Sequence, residues 1–403
     1  MKTPTASLAT AIYLAHLISS VSVAGFVVPR HSSSSSSSSS SNRDHSSPSG
    51  TPWSASNFDS LITFGDSYTD ESRLGWFINH NGSAPPAGTL LPESNSTAGG
   101  GRTWPRYVVQ YTGSTDNNDA WTPQMTLYNY AVSGAACSNE ITPRWFSTIN
   151  APFPSVLDYE IPAFRADLSA TRFNSTPPEP YFTPSLTASS AVYALWIGTN
   201  DLGVWAFLTD SQIPGKVLSD YTSCIYEVFD NLYASGGRRF VLMNTAPLEL
   251  APLYANETLH GVGDNQYWPD KPSNLTQIAE TMHEYTSTVN TVFRYQTPFD
   301  IAKNRYPGAE FALFDVHGLI LDIYNNPTTY LNGTGVGPGS ESVWGYENHC
   351  NVNQTVCVKR ENGTNPDAFL WFDELHPSEQ TDRIIARHFV DVLNGNSTYA
   401  TYY

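Results

Sequence analysis

Four short stretches, far apart in a chain of 403 residues, hold the side chains best suited to chemistry. In Ile62-Thr63-Phe64-Gly65-Asp66-Ser67-Tyr68-Thr69-Asp70 an apolar, strand-like run ends at a glycine, a serine follows two residues later, and helix-compatible residues come next. That context predicts Ser67 exposed on a strand-to-helix turn, where a nucleophile can be approached. Near the other end, Asp373-Glu374-Leu375-His376-Pro377 sets an aspartate three residues before a histidine, ahead of a helical pattern. Within one turn such a carboxylate can orient the imidazole and balance its charge when protonated, the arrangement of a base and its orienter. Two central stretches, Asn129-Tyr130-Ala131-Val132-Ser133-Gly134-Ala135 and Trp196-Ile197-Gly198-Thr199-Asn200-Asp201, each close an apolar run with a glycine beside small polar residues. Gly134 lets the backbone come close enough to a ligand to donate its N–H, and Asn200 can offer its side-chain amide to an oxyanion. Singly, each stretch is an ordinary strand end, turn or capped helix start; their joint occurrence in this order gives them weight.

These stretches need a scaffold that brings them together. Apolar runs at 60–64, 126–132, 191–197, 239–244 and 311–316 are mostly continuous rather than alternating, as strands buried on both faces of a parallel sheet should be. Helical patterns lie among and after them at 104–111, 217–233, 275–294 and 378–393, with Pro377 suited to the first position of the last helix. The alternation predicts an α/β fold with a doubly wound, mainly parallel five-stranded sheet in an α/β/α sandwich, its site at the carboxyl ends of the strands. The intervals 71–101, 138–180, 248–272 and 324–368 exceed what crossovers require, and their Pro, Gly, Asn, Ser and aromatic content reads as long loop insertions around the active face.

In this order the four stretches resemble the blocks of the GDSL family of esterases, also called SGNH hydrolases, over about residues 58–393. The resemblance implies a flavodoxin-like hydrolase fold, with Ser67 as nucleophile, Asp373 and His376 as its partners, and Gly134 and Asn200 joining the Ser67 N–H as oxyanion-hole donors. Tyr68 stands where the name-giving leucine would be, a position without chemistry of its own. The fuller strings are similar to those of secreted fungal acetylesterases of carbohydrate esterase family 16. That likeness implies removal of O-acetyl groups from plant cell-wall oligosaccharides, such as acetylated xylo-oligosaccharides, through an acyl-enzyme. The chemistry needs no metal or other cofactor, and none is expected. Trp76, Trp104, Trp145 and Trp205 could stack on sugar rings, although core packing is expected for at least half of them. On the same scaffold the rival reading is a lipase, phospholipase or acyltransferase acting on longer acyl esters. A catalytically silent glycan-binding protein is the rival from another class, and the presence of every catalytic member speaks against it.

Composition sets the remaining limits. With 40% hydrophobic and 13% aromatic residues the chain can bury a large core. A formal net charge of -17 and a pI near 4.8 argue against nucleic acid as a partner and weaken any case for anionic membranes. Lys2, an apolar run over residues 6–23 and the small residues Ser22-Val23-Ala24 predict a signal peptide over 1–24 and a secreted, extracellular protein without a membrane anchor. Residues 25–56 include ten consecutive serines, Ser32 to Ser41, and read as a disordered leader before one esterase domain over 57–403. Nine Asn-x-Ser/Thr sequons, at Asn81, Asn95, Asn174, Asn256, Asn274, Asn332, Asn353, Asn362 and Asn396, predict N-glycans. Four cysteines in an oxidising compartment suggest Cys350 paired with Cys357 in a tight loop, leaving Cys137 with Cys224. The expected partner is an acetylated oligosaccharide, with no nucleic acid, no membrane and a monomeric state.

Overall fold

The computed structural model describes residues 53–115, 121–331, 342–359 and 365–403. The expected signal peptide, most of the expected leader, and the sequons at Asn332 and Asn362 lie outside the described residues. At the leader's expected end, Trp53 packs against the rings of Phe58 and Tyr402, and the Ala55 N–H donates to Asn394 Oδ1 at 2.9 Å. Those residues are part of the folded body.

The central sheet contains β1 (Ser60–Gly65), β2 (Thr126–Asn129), β3 (Ala191–Trp196), β4 (Arg239–Met243) and β5 (Glu310–Phe314), all parallel in the order 2-1-3-4-5. Every residue of β1, β3 and β4 is buried, the physical reason these segments read as unbroken apolar runs. A sixth strand, β6 (Ala400–Tyr402), adds antiparallel to β5 and has no counterpart among the apolar runs of the sequence. It is three residues long, borders the sheet on one side only and carries no buried run to announce it.

Seven helices of at least one full turn and a half accompany the sheet among the described residues: α1 (Arg73–Asn79), α2 (Trp104–Thr112), α3 (Ile161–Asp167), α4 (Leu218–Ala234), α5 (Leu275–Ala302), α6 (Val316–Asn325) and α7 (Glu379–Leu393). The step from β1 to β2 runs opposite to the steps from β2 through β5. Right-handed crossovers therefore put α2 on one face and α3, α4 and α5 on the other. The packing agrees: α4 contacts α3 and α5, while α7 returns to pack along α2. The winding reverses between β1 and β3, which opens a crevice at the carboxyl ends of those two strands.

Local differences from the sequence reading have local causes. The fifth apolar run ends one strand and begins another element, because Asp315 caps α6 by accepting from the Gly318 N–H at 2.9 Å, so Val316 is helical. Helix α5 continues past the expected stop through Pro298; beyond it, Asp300 is buried and accepts from Arg305. Pro377 lies outside α7, because Ser378 takes the cap position and accepts from the Thr381 N–H at 3.2 Å.

Both cysteine pairings expected from the sequence are present as disulfides. Cys137–Cys224 ties the segment after β2 to α4 across 87 residues, whereas Cys350–Cys357 closes a hairpin across 7. Chain-entropy reasoning gives the long link about 4 to 5 kcal/mol and the short one about 2 kcal/mol. Denaturant unfolding should therefore show the Cys137→Ala, Cys224→Ala double variant losing about 2 kcal/mol more than Cys350→Ala with Cys357→Ala. Equal losses would mean that loop closure does not set their contributions.

Candidate active site

Strand β1 ends at Gly65, which has φ of +145°, and a Cβ there would stand 2.1 Å from the Trp196 carbonyl oxygen of β3. Only glycine allows that approach. The chain then turns on Asp66, whose carbonyl accepts the Thr69 and Asp70 N–H groups at 3.0 and 2.9 Å and whose Oδ1 accepts the Tyr68 N–H at 3.0 Å. Ser67 is carried on this turn. Helix α1 begins only at Arg73, and Ser67 is 7% exposed, so it lies on a cleft floor rather than on an exposed helix start.

The segment before α7 delivers the other partners. His376 Nε2 lies 2.8 Å from Ser67 Oγ, and its Nδ1 lies 3.0 Å from both Asp373 carboxylate oxygens. Asp373 Oδ1 also accepts the Leu375 and His376 N–H groups at 2.9 and 2.7 Å. Its Oδ2 accepts the Tyr267 hydroxyl at 2.6 Å, and that hydroxyl lies 3.3 Å from His376 Nδ1. Tyr68 plays a structural part. Its hydroxyl donates to the Leu375 carbonyl at 2.8 Å, and its ring edge meets His376 and Trp196. The residue beside the serine thus pins the histidine segment.

Charge follows from these contacts. Burial alone would push the Asp373 carboxyl up, but the His376 charge and hydrogen bond, with the Tyr267 hydroxyl and the His376 amide, hold it below the usual carboxylate range. Burial also opposes a charged His376, yet Asp373, by charge and hydrogen bond, and the charges of Asp66 and Glu374 outweigh it, so the imidazole is shifted up. Among the described residues Asp66 has one donor on Oδ1 and none on Oδ2, and burial pushes its carboxyl up to about 7.

Gly134 and Asn200 meet over the same floor. Gly134 has φ of +87°, and a Cβ there would collide with the Phe153 ring at 2.4 Å. The Asn200 amide donates to the Ala135 carbonyl at 2.9 Å, and its Oδ1 accepts from Arg144. Asp70 links the serine turn to the glycine turn by accepting from the Ser133 N–H and hydroxyl at 2.8 and 2.9 Å, while also accepting from the Arg73 N–H at 2.7 Å. Ser67, Gly134, Asn200 and His376 line one cleft of about 280 Å³, together with Arg144 and Tyr267. Among the four tryptophans singled out as possible sugar-stacking residues, Trp104 is fully buried in the core, Trp145 and Trp205 are 62% and 44% exposed, and Trp76 lines a hollow adjoining the cleft. Asp70 was open to discovery as a helix-capping aspartate ahead of Arg73, whereas Tyr267 and Arg144 lie in loops whose sequences carry no signal of their role.

The family model for GDSL-like lipases and acylhydrolases matches residues 61–389. An acetylesterase of Hypocrea jecorina is 43% identical over 349 residues, covering 86% of this chain and 92% of that protein. An acetylesterase of Thermothelomyces thermophilus is 24% identical over 345 residues, 83% of this chain and 88% of that one. Among solved structures, an acetylxylan esterase from Geobacillus stearothermophilus aligns at 15% identity and a TM-score of 0.39, covering 84% of this chain and 96% of that one, a likeness too loose to carry weight.

The contacts of His376 set its titration. Followed by NMR, the imidazole should titrate above the ordinary value of about 6.5. Tyr267→Phe removes a donor that draws charge from Asp373, so the carboxylate should hold the imidazolium more strongly and the midpoint should rise further. Asp373→Asn should send it below about 6.5, because burial is then opposed only by more distant charges. A native midpoint below that value would contradict the balance described.

Proposed function

The chain belongs to the GDSL-like lipase/acylhydrolase family, and from that premise we propose that it is a secreted, monomeric carbohydrate acetylesterase removing O-acetyl groups from plant cell-wall oligosaccharides, acetylated xylo-oligosaccharides among them. The observation that carries the reading is the unbroken chain of hydrogen bonds from Ser67 Oγ through His376 to Asp373, in one cleft with Gly134 and Asn200. The two acetylesterases that share most of its length support the acyl group chosen.

In this reading His376 Nε2 takes the Ser67 proton as Oγ attacks the acetyl carbonyl. Charge developing on the carbonyl oxygen is met by the Ser67 and Gly134 N–H groups and by the Asn200 amide, which has a second N–H beyond the one used on Ala135. The imidazolium, held by Asp373, protonates the sugar oxygen as it leaves. Water, activated by the same histidine, then releases acetate from acetyl-Ser67. The inner cleft meets, at Leu74, Ala98 and Ser133, a second hollow of about 400 Å³ lined by Trp76 and His80. An acetyl group needs only the first, and a sugar ring has room in the second.

Export and N-glycosylation belong to the same proposal. Six sequon asparagines, Asn81, Asn95, Asn174, Asn274, Asn353 and Asn396, are exposed, and Asn256 is half-buried. Among the described residues no helix is long and apolar enough to cross a membrane.

Ser67→Ala should lower acetate release from acetylated oligosaccharides by about 10³-fold or more, because only binding and oxyanion contributions survive. The native rate should fall as pH drops through the raised His376 midpoint, since acylation requires the neutral imidazole. With p-nitrophenyl esters, kcat/KM should favour acetate over octanoate. A preference for octanoate would replace the acetylesterase reading with that of a lipase, and a Ser67→Ala variant keeping a tenth of its activity would remove Ser67 from the mechanism.

A further inference from the structure

The oxyanion donors come from different strands. Gly134 follows β2 and Asn200 follows β3, with β1 between those strands, so neither turn by itself fixes how the two donors face each other. One guanidinium nitrogen spans them. Arg144 Nη1 donates to the Gly134 carbonyl at 2.9 Å and also to Asn200 Oδ1. A guanidinium offers donors and no acceptor, so it dictates which end of the Asn200 amide turns toward it. With Oδ1 on Arg144, the amide nitrogen is directed to the Ala135 carbonyl, at 2.9 Å; a flipped amide would set donor against donor and oxygen against oxygen. The guanidinium also lies over the Phe153 ring, 5.3 Å from its centroid, and that ring is the one that excludes any side chain at Gly134. The Phe153 N–H donates in turn to the Arg144 carbonyl at 2.7 Å, which makes Arg144, Phe153 and Gly134 one packed unit.

Arg144 also faces the chemistry. It lines the cleft with Ser67, and its Nε and Nη2 meet no acceptor among the described residues. Burial disfavours its charge, while the nearby Tyr254, Asp201 and Asp66 favour it. A cation in so restricted a site acts on a developing negative charge more strongly than it would in water.

We infer that Arg144 is the positioning residue of the oxyanion hole: it clamps the Gly134 turn and the Asn200 amide in donor orientation, and its charge steadies the tetrahedral intermediate. The inference rests on the serine-esterase reading above and adds to it a residue outside the four sequence blocks.

Arg144→Met keeps the apolar stem and removes the fork. For an acetyl ester, kcat should fall about 10-fold or more while KM stays within about 3-fold. Affinity for a short alkylboronic acid, whose tetrahedral adduct on Ser67 carries the charge of the oxyanion, should fall by about the same factor as kcat/KM. Arg144→Lys, which offers one ammonium in place of a planar fork, should lie between native and Arg144→Met in both readouts. A folded Arg144→Met protein with native boronate affinity would overturn the inference, even if its melting temperature had dropped, because a purely structural brace predicts that result. Should Arg144→Met fail to fold, Arg144→Lys decides: a loss of several-fold in boronate affinity supports the clamp, and native affinity overturns it. If the native protein binds the boronate but hydrolyses no acetyl ester, the acetylesterase reading fails alone, and the affinities of the variants still decide the role of Arg144.

Discussion

The hydrogen bond between Ser67 and His376 joins residues 309 positions apart, and most of the architecture can be understood as what holds that one contact at 2.8 Å. Neither residue could be placed by its own local structure. Ser67 rides on a turn at the end of the strand next to the winding reversal, where Gly65 lets β1 and β3 come together. His376 is delivered from the far end of the chain by the segment that caps α7, and Ser378 fastens that segment with a bond from its hydroxyl to the Phe369 carbonyl at 2.6 Å. Tyr68 then closes the gap directly through its bond to the Leu375 carbonyl. Two independent ties across the same gap, one through Tyr68 and one through the serine itself, leave the imidazole little freedom to drift.

The cleft also shows how one buried region keeps carboxyl groups in different states. Asp373 receives four donors, from the Leu375 and His376 amides, His376 Nδ1 and the Tyr267 hydroxyl, and stays below the usual range. Asp201 receives the Cys137 amide and the Thr142 hydroxyl, and burial pushes it up to about 6. Among the described residues Asp66 has the Tyr68 amide alone and reaches about 7. Desolvation acts on all three; at Asp373 the adjacent His376 charge and the donors outweigh it, and at Asp201 and Asp66 the hydrogen bonds and more distant charges do not. Of the three, the carboxylate beside His376 has the most donors. Asp201 serves instead as a brace, tying the Cys137 segment to the turn that presents Asn200, and the Cys137–Cys224 disulfide holds that segment to α4.

Much of this was legible in the sequence because buried parallel strands and glycine-ended turns leave local marks. The five parallel strands could be read in that way and four of the helices from their patterns, whereas Ser67, Gly134, Asn200, Asp373 and His376 are singled out by the joint order of four stretches; Ser67, Gly134, Asn200 and His376 line one cleft, and Asp373 is hydrogen-bonded to His376 behind it. What escaped is held by contacts distant in sequence. Tyr267 reaches Asp373 from a loop 106 residues away, and Arg144 reaches Asn200 across 56, with no periodicity or spacing to reveal either. Strand β6 owes its pairing to β5 rather than to its own composition, and α6 owes its start to the Asp315 cap. Tyr68, which looked inert as a replacement for leucine, gains its role from the Leu375 carbonyl 307 residues away.

The most direct test of the central claim is to catch the acyl-enzyme. The protein is mixed with an acetyl ester in excess, quenched in acid during turnover, digested and mapped by mass spectrometry. One acetyl group on the peptide containing Ser67, appearing within the first turnover and absent after substrate is exhausted, is the expected result. An acetyl group carried by another residue at the rate of turnover would contradict the account.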